Sequence, residues 1–201
     1  KFLLAGRGGL NLTHSEPLDA LLARYREAGG WLEPALRARF GEGFEAEATA
    51  LIGRAPLDLR VNAMKADVEA VAAELGAARI PGLPLGLRLE TPQPLDRHPL
   101  MLDGSIEVQD AGSQHVAAFA AAAPGETVID LCAGAGGKTL ALAADMRGEG
   151  RLIACDTDRP RLQSMAPRLA RAGLESFVES RLLNPGREAE SMEDLKGRAD
   201  M

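Results

Sequence analysis

The chain has 201 residues, of which 46% are hydrophobic and 26% are charged, and its formal net charge is −6. This balance is typical of a globular protein with a core large enough for one medium domain or two small ones, and it excludes a disordered chain. The negative charge disfavours a protein that coats nucleic acid non-specifically. No apolar run approaches the roughly 18 residues of a membrane helix, so we expect no membrane partner.

The cysteine and histidine content narrows the chemistry further. Two cysteines, Cys132 and Cys155, are too few for a disulfide framework, which favours a reducing, cytoplasmic compartment. The three histidines are dispersed without the spacing of metal ligands, so no metal site is predicted.

The first zone, residues 1–54, predicts helices after a glycine-rich opening. Ser15 is typical of a helix N-cap, and apolar residues at three- and four-residue spacing follow it as far as Gly29. The same period continues over 31–40 and over 44–52, which predicts a second and a third helix.

The second zone, residues 55–104, predicts a small α+β domain. Apolar and polar residues alternate over 57–61 and again over 85–89, as in half-buried strands. A helix with one apolar face is predicted between them, over 66–76. The proline-rich piece at 91–99 predicts a linker or loop.

The third zone, residues 105–201, alternates strands and helices and therefore predicts a parallel sheet with right-handed crossovers. The predicted elements are helix 111–123, strand 127–131, helix 137–146, strand 151–155, helix 159–172, strand 176–182 and a polar helix at 188–195. One of these helices carries four arginines, which we interpret as a solvated face rather than a nucleic-acid patch: Arg159, Arg161, Arg168 and Arg171.

A glycine-rich turn, VIDLCAGAGGKT from Val128 to Thr139, follows the first strand of this sheet. Ligands of parallel sheets bind beyond the carboxyl ends of the strands, so the turn is the candidate site. A phosphate-binding P-loop would need glycine where Cys132 stands, and a dinucleotide fingerprint would need glycine at Thr139. Both are near misses, and the P-loop interpretation stays open because Asp156 could serve as its magnesium-side acid.

A methyltransferase pattern fits the turn better, because both strands beside it end in an acid. A carboxylate at Asp156 can accept hydrogen bonds from both ribose hydroxyls of adenosine, and Asp130 lies near the cationic, amine-bearing end of S-adenosyl-L-methionine. Glycines let the backbone approach such a ligand closely. The remaining alternative is a turn that serves folding only.

The run VIDLCAGAGGKTLALAADM and its approach DGSIEVQDAGSQ closely resemble the RsmB/NOP/Sun family of RNA cytosine-C5 methyltransferases. The resemblance covers about residues 31–201. It implies an incomplete Rossmann-like S-adenosylmethionine domain at 105–201, preceded by N-terminal helices and by a small RRM-like α+β domain at 55–104 that binds RNA. It also implies RNA, and specifically rRNA, as the substrate.

The resemblance also implies which residues bind the cofactor. Asp156 matches the ribose-binding acid of the family, and Asn184 stands where many members have an adenine-side Asp, so it is the candidate substitute. The turn residues implied as cofactor contacts are Cys132, Ala133, Gly134, Ala135, Gly136, Gly137 and Lys138.

Cytosine-C5 methylation needs a thiolate that attacks C6 and a base that removes the C5 proton. The family's catalytic cysteines lie beyond a fourth strand, whereas no cysteine follows Cys155 here. We interpret Cys132 and Cys155 as small packing residues. We therefore expect a fragment that is inactive alone, with an open sheet edge through which it could self-associate. The non-enzyme alternative is an RNA-binding or interaction fragment.

The opening KFLLAGRGGLNLTHSEPLDALLARY resembles a segment of the HI0933-like FAD-binding flavoproteins. The dinucleotide fingerprint that would precede this segment in that family is not in the sequence. We therefore expect a junction of two unrelated genes, with a flexible loop at Gly6–Gly9, rather than a flavin site.

Overall fold

The computed structural model describes residues 30–52, 55–91 and 93–201, together with single positions 20 and 23. The chain divides into two compact units, Lys1–Ala55 and Pro56–Met201. The helix predicted after Ser15 and the flavoprotein-like opening lie outside the described residues.

In the first unit, helix α1 (Glu33–Phe40) is joined by a 3₁₀ turn (Gly41–Gly43) to helix α2 (Phe44–Ile52), as the periodicity predicts. Phe44 and Ala48 are buried, and Leu36 and Phe40 pack against them. The Arg37 guanidinium lies 4.0 Å from the centre of the Phe44 ring. Trp31 precedes α1 and is exposed, so it takes no part in the predicted apolar face.

The second unit begins with a four-stranded antiparallel sheet in the order β2-β3-β1-β4. Helix α3 (Val68–Leu75) starts at Asp67, whose side chain accepts the N–H groups of Glu69 and Ala70. Leu59 and its apolar neighbours on the strands share one core with Val71 of that helix. The strands are β1 (Leu57–Val61), β2 (Ala78–Arg79), β3 (Gly86–Leu89) and β4 (Ile106–Val108).

The same unit continues as a mixed α/β structure around a parallel sheet in the order β5-β6-β7, which confirms the predicted fold class. Its buried core includes Val128, Leu140, Leu152 and Met165. The strands are β5 (Thr127–Asp130), β6 (Arg151–Asp156) and β7 (Val178–Leu182), and the helices are α4 (Pro99–Leu102), α5 (Ala111–Ala120), α6 (Gly137–Asp145), α7 (Arg159–Gln163) and α8 (Ala166–Ala172), followed by a 3₁₀ helix (Glu190–Leu195).

The helix predicted over 159–172 is two helices, α7 and α8. Pro167 lies in the first turn of α8, and proline lacks the N–H group that a continuous helix would need there. The break places Ser164 and Met165 between the two helices.

The free edge of β5 carries the last two residues of the chain. Thr127 accepts the N–H of Asp200 (2.9 Å), and Ile129 donates its N–H to the carbonyl of Met201 (2.9 Å). The Asp200 carboxylate also accepts the N–H of Thr127 at 2.8 Å. The edge that the sequence predicts to be open is thus lined over Thr127–Ile129 by main chain.

We predict that Gly104→Ala destabilises the protein by about 2–5 kcal/mol, because it adds both left-handed strain and a clash. Gly104 has φ +78°, and a Cβ there would lie 2.3 Å from the carbonyl oxygen of Arg171, which is backbone and cannot move aside easily.

Gly82→Ala is the matched control, since Gly82 has φ +75° but its nearest neighbour would be a His115 side-chain atom at 3.5 Å. It should cost only about 1–2 kcal/mol. Urea denaturation of both variants checks this, and equal losses would show that the close approach at Gly104 is not the cause.

Candidate cofactor-binding site

The glycine turn runs from the end of β5 to the start of α6 and is closed by its own backbone. Ala133 donates its N–H to the carbonyl of Cys155 on β6, and Gly136 donates to the carbonyl of Ala133, both at 2.9 Å. Gly134 and Gly136 have φ of +55° and +81°, which L side chains rarely adopt. The turn is therefore fixed to the strand beside it and needs glycine at both positions.

Asp156, at the end of β6, organises the turn through its carboxylate. Oδ2 accepts the N–H of Gly134 at 2.7 Å, and Oδ1 accepts the N–H of Asp158 at 2.9 Å. These bonds, with that of Asp158 first, hold the pKa of Asp156 below its usual range despite burial. Asp156 is therefore a buried carboxylate that stays ionised.

Asp130, at the end of β5, makes the second carboxylate contact. Its Oδ2 accepts the hydroxyl of Thr139 at 2.7 Å. Thr139 lies in the first turn of α6 and is 0% exposed, so its hydroxyl is committed to this bond. Asp156 thus fixes the middle of the turn through the N–H of Gly134. Asp130 fixes the start of the following helix through the hydroxyl of Thr139.

Two side chains cover the turn, one from α7 and one from the break between α7 and α8. A Cβ on Gly134 would lie 2.5 Å from the Arg161 guanidinium, and a Cβ on Gly136 would lie 2.4 Å from the Met165 side chain. The sequence pattern places Arg161 on a solvated helix face and does not single out Met165, so neither was predicted to contact the turn.

The prediction that four arginines form a solvated helix face is wrong for Arg168. Its guanidinium donates to Glu107 Oε2 from Nε (3.3 Å) and Nη2 (3.0 Å), and to the carbonyl of Ala135 from Nη1 (2.5 Å). Arg171 also approaches Glu107, at 3.5 Å. The apolar period of a helix shows which of its faces is buried, but it does not show that a charged residue pairs with a residue of another sheet.

The remaining predicted site residues lie at the same edge of the parallel sheet. Asn184 follows β7, whose Leu182 is level with Asp156, and it is exposed. Lys138 is exposed on the first turn of α6. The pKa of Asp110 is lowered mainly by hydrogen bonds from Ser113, and the charge of Lys138 lowers it further.

The two cysteines differ in accessibility. Cys132 is exposed at the start of the turn, whereas Cys155 is buried within β6. Burial raises the pKa of the Cys155 thiol to about 11, so it is protonated at neutral pH and unsuited to act as a nucleophile. Among the described residues no group of three or more potential ligands could hold a metal ion.

Family models match two parts of the chain. "16S rRNA methyltransferase RsmB/F" matches residues 117–184, and "Methyltr_RsmF/B-like, ferredoxin-like domain" matches 29–96. Ribosomal RNA small subunit methyltransferase B of Shigella flexneri serotype 5b is 33% identical over 162 residues, which are 78% of this chain and 37% of that protein. The chain belongs to the RsmB/NOP/Sun family.

Solved structures agree with this membership. The crystal structure of PH0851 superposes with a TM-score of 0.76 at 28% identity and covers 90% of this chain and 42% of that one. A methyltransferase homologue from Pyrococcus horikoshii gives a TM-score of 0.68 at 28% identity, with coverages of 92% and 60%. The chain spans little more than a third of the curated relative (37%).

Membership implies S-adenosyl-L-methionine as the cofactor. It also explains why the turn, the two strand-end acids and the antiparallel sheet occur in one chain. Within the part of the chain that the structure describes, no helix is long and apolar enough to cross a bilayer.

We predict that Asp156→Asn lowers the free energy of unfolding at pH 7 by about 1.5–3 kcal/mol, because charge-assisted bonds to two N–H groups are lost. The wild-type carboxylate has a pKa below its ordinary 3.8. Its stabilisation is therefore complete above about pH 4 and is lost as the pH falls through that lowered pKa.

Denaturant unfolding of both proteins between pH 7 and pH 3 measures the difference, which should shrink towards the acid end. Asp96→Asn, which removes the same charge at an exposed position, is the control and should show little difference at any pH. If the difference in unfolding free energy between Asp156→Asn and the wild type stayed constant with pH, the assignment of Asp156 as an ionised carboxylate would be contradicted.

Proposed function

We propose that this chain binds the methyl donor S-adenosyl-L-methionine as part of an RNA (rRNA) cytosine-C5 methyltransferase. The observation that carries the proposal is Asp156, an ionised, buried carboxylate at the end of β6 whose Oδ2 is fixed to the N–H of Gly134. In a member of this family, the acid at this position accepts hydrogen bonds from the ribose hydroxyls of an adenosine.

The other residues of the turn fit the same ligand. Gly134 and Gly136 let Arg161 and Met165 lie closer to the backbone of the turn than a Cβ would allow, and Asp130 offers negative charge for the cationic end of the donor. Cys132, Ala133, Ala135, Gly137 and Lys138 complete the turn. Asn184, exposed beyond β7, is the candidate for the adenine side.

A P-loop fits the geometry less well. A P-loop hydroxyl coordinates Mg²⁺ beside the phosphates, whereas the Thr139 hydroxyl is buried and donates to Asp130. Two carboxylates beside the turn, Asp130 and Asp156, would also repel a triphosphate. Both features support a cationic adenosine cofactor over ATP.

The bound donor supplies an electrophilic methyl group; this chain's residues bind and orient it. Attack on cytosine C6 needs a thiolate, and neither Cys155, with its raised pKa, nor Cys132, which is part of the donor turn, suits that role. We therefore assign donor binding, and not attack on the base, to these residues. RNA as partner, self-association through an exposed sheet edge and a cytoplasmic location remain parts of the proposal.

We predict that the protein binds S-adenosylhomocysteine and not Mg-ATP in isothermal titration calorimetry. Asp156→Ala should weaken the binding at least about tenfold, since a bidentate acceptor for the ribose is lost. Asp96→Ala should bind like the wild type. Binding of Mg-ATP alone would overturn the assignment in favour of a P-loop, and binding of neither ligand would favour a non-catalytic RNA-binding fragment.

We also predict that iodoacetamide at pH 8 modifies Cys132 but leaves Cys155 unmodified in the folded protein. Cys155 is buried and its thiol pKa is about 11, so it presents little thiolate. Mass spectrometry of the native and the guanidinium-unfolded protein checks this, because both cysteines should react once the chain is unfolded. Modification of Cys155 in the native state would reopen its role as a nucleophile.

A further inference from the structure

Two carbonyl groups of the cofactor turn are held by side chains that depend on the antiparallel sheet. Gln109 donates from Nε2 to the carbonyl of Gly137 at 3.1 Å. Arg168 donates from Nη1 to the carbonyl of Ala135 at 2.5 Å. Since a peptide plane that is fixed at its carbonyl is also fixed at the next N–H, these contacts orient the backbone of the turn.

The amide of Gln109 has one orientation, and Arg60 on β1 sets it. Arg60 donates from Nε to Gln109 Oε1 at 3.0 Å, and both side chains are buried. A guanidinium has no acceptor, so the amide oxygen must face Arg60 and the NH₂ group must face Gly137. The main chain of Gln109 is fixed as well, by a bond from its N–H to the carbonyl of Asp58 (3.1 Å).

The guanidinium of Arg168 is fixed by Glu107 on β4. Glu107 Oε2 accepts from both Nε and Nη2 of Arg168, as described above, and the Glu107 side chain is 5% exposed while that of Arg168 is 19% exposed. Glu107 lies in β4 and Gln109 follows that strand directly, so one short segment carries the support for both contacts to the turn.

This polar cluster is not built in the way that stability alone would favour. Within the described part of the chain, Arg60 Nη1 and Arg171 Nε are buried without a hydrogen-bond partner, and the buried Glu107 Oε1 has only the ion pair with Arg171 at 3.5 Å. Buried charges with incomplete hydrogen bonding cost free energy that well-packed apolar side chains would not. Because the cluster costs free energy and donates hydrogen bonds to the carbonyls of Ala135 and Gly137, its geometry points to a role in positioning the turn.

We propose that Gln109 and Arg168 are positioning residues for the donor site: they hold the carbonyls of Gly137 and Ala135 so that the turn keeps its ligand-binding shape. The antiparallel sheet thereby sets the geometry of the cofactor turn. The inference rests on the proposed function for its ligand, and on the contacts alone for its effect on the turn.

Gln109→Glu is the sharpest test, because it changes only one of the two contacts. A glutamate keeps an acceptor for Arg60 and adds an opposite charge to it, but it cannot donate to the carbonyl of Gly137. We expect the added ion pair with Arg60 to offset part of the loss at Gly137, so that the variant stays folded, with affinity for S-adenosylhomocysteine reduced about tenfold in calorimetry. A residue with a merely structural role would leave the affinity unchanged.

Arg168 is tested by a pair of variants. Arg168→Met removes every donor and should weaken the affinity about tenfold or more, whereas Arg168→Lys retains one donor for the Ala135 carbonyl and should recover at least part of that loss. Val71→Ala, in the core of the antiparallel sheet, is the control: it lowers stability while the folded protein binds normally. Wild-type affinity in Gln109→Glu and Arg168→Met would overturn the proposal.

Hydrogen exchange without ligand separates this proposal from the proposed function. The N–H of Gly136, bonded to the carbonyl of Ala133, should exchange faster in Gln109→Glu and Arg168→Met than in the wild type, while that of Leu152 in β6 should not. This result supports positioning even if S-adenosylhomocysteine does not bind the wild type. Unchanged exchange of Gly136 in both variants would contradict it.

Discussion

The bond from the Gly134 N–H to the Asp156 carboxylate joins the two halves of the candidate site. It ties the turn after β5 to the end of β6 across 22 residues of sequence, at 2.7 Å in a buried position. Because the bonds from the two N–H groups favour the ionised carboxylate, Asp156 also keeps a negative charge beside the turn. A single group thus shapes the backbone of the turn and, in the proposed function, accepts the hydroxyl donors of the ligand.

The sequence predicts well those elements whose signal is local. The strands that became β1, β5, β6 and β7, and the helix that became α6, show their periods within a few residues, and the acids and glycines at the turn stand in one continuous motif. β2 and β4 were not predicted, because two or three residues are too few for an alternation to show. The break between α7 and α8 was not predicted either, because the apolar period across Pro167 is nearly continuous.

The long-range contacts could not be predicted from any pattern. Arg168 meets Glu107 across 61 residues, and Gln109 meets Gly137 across 28. Each of these residues is unremarkable on its own element: an arginine on a basic helix, a glutamate and a glutamine after a short apolar strand. Their roles depend on how two sheets pack, which composition and spacing do not encode.

The same packing limits how the small sheet could contact RNA. RRM-type sheets bind bases by stacking them on exposed aromatic residues of the strands, yet β1–β4 carry no aromatic residue, and Asp58, Arg60 and Glu107 on their polar face are at most 6% exposed. The opposite face packs its apolar residues against Val71 and Leu75 of α3. Any RNA contact by this sheet therefore falls on α3, on the edge strand β2 or on Arg88 of β3, whose side chain is 41% exposed. Arg60 and Glu107 on the same face are instead committed to Gln109 and Arg168.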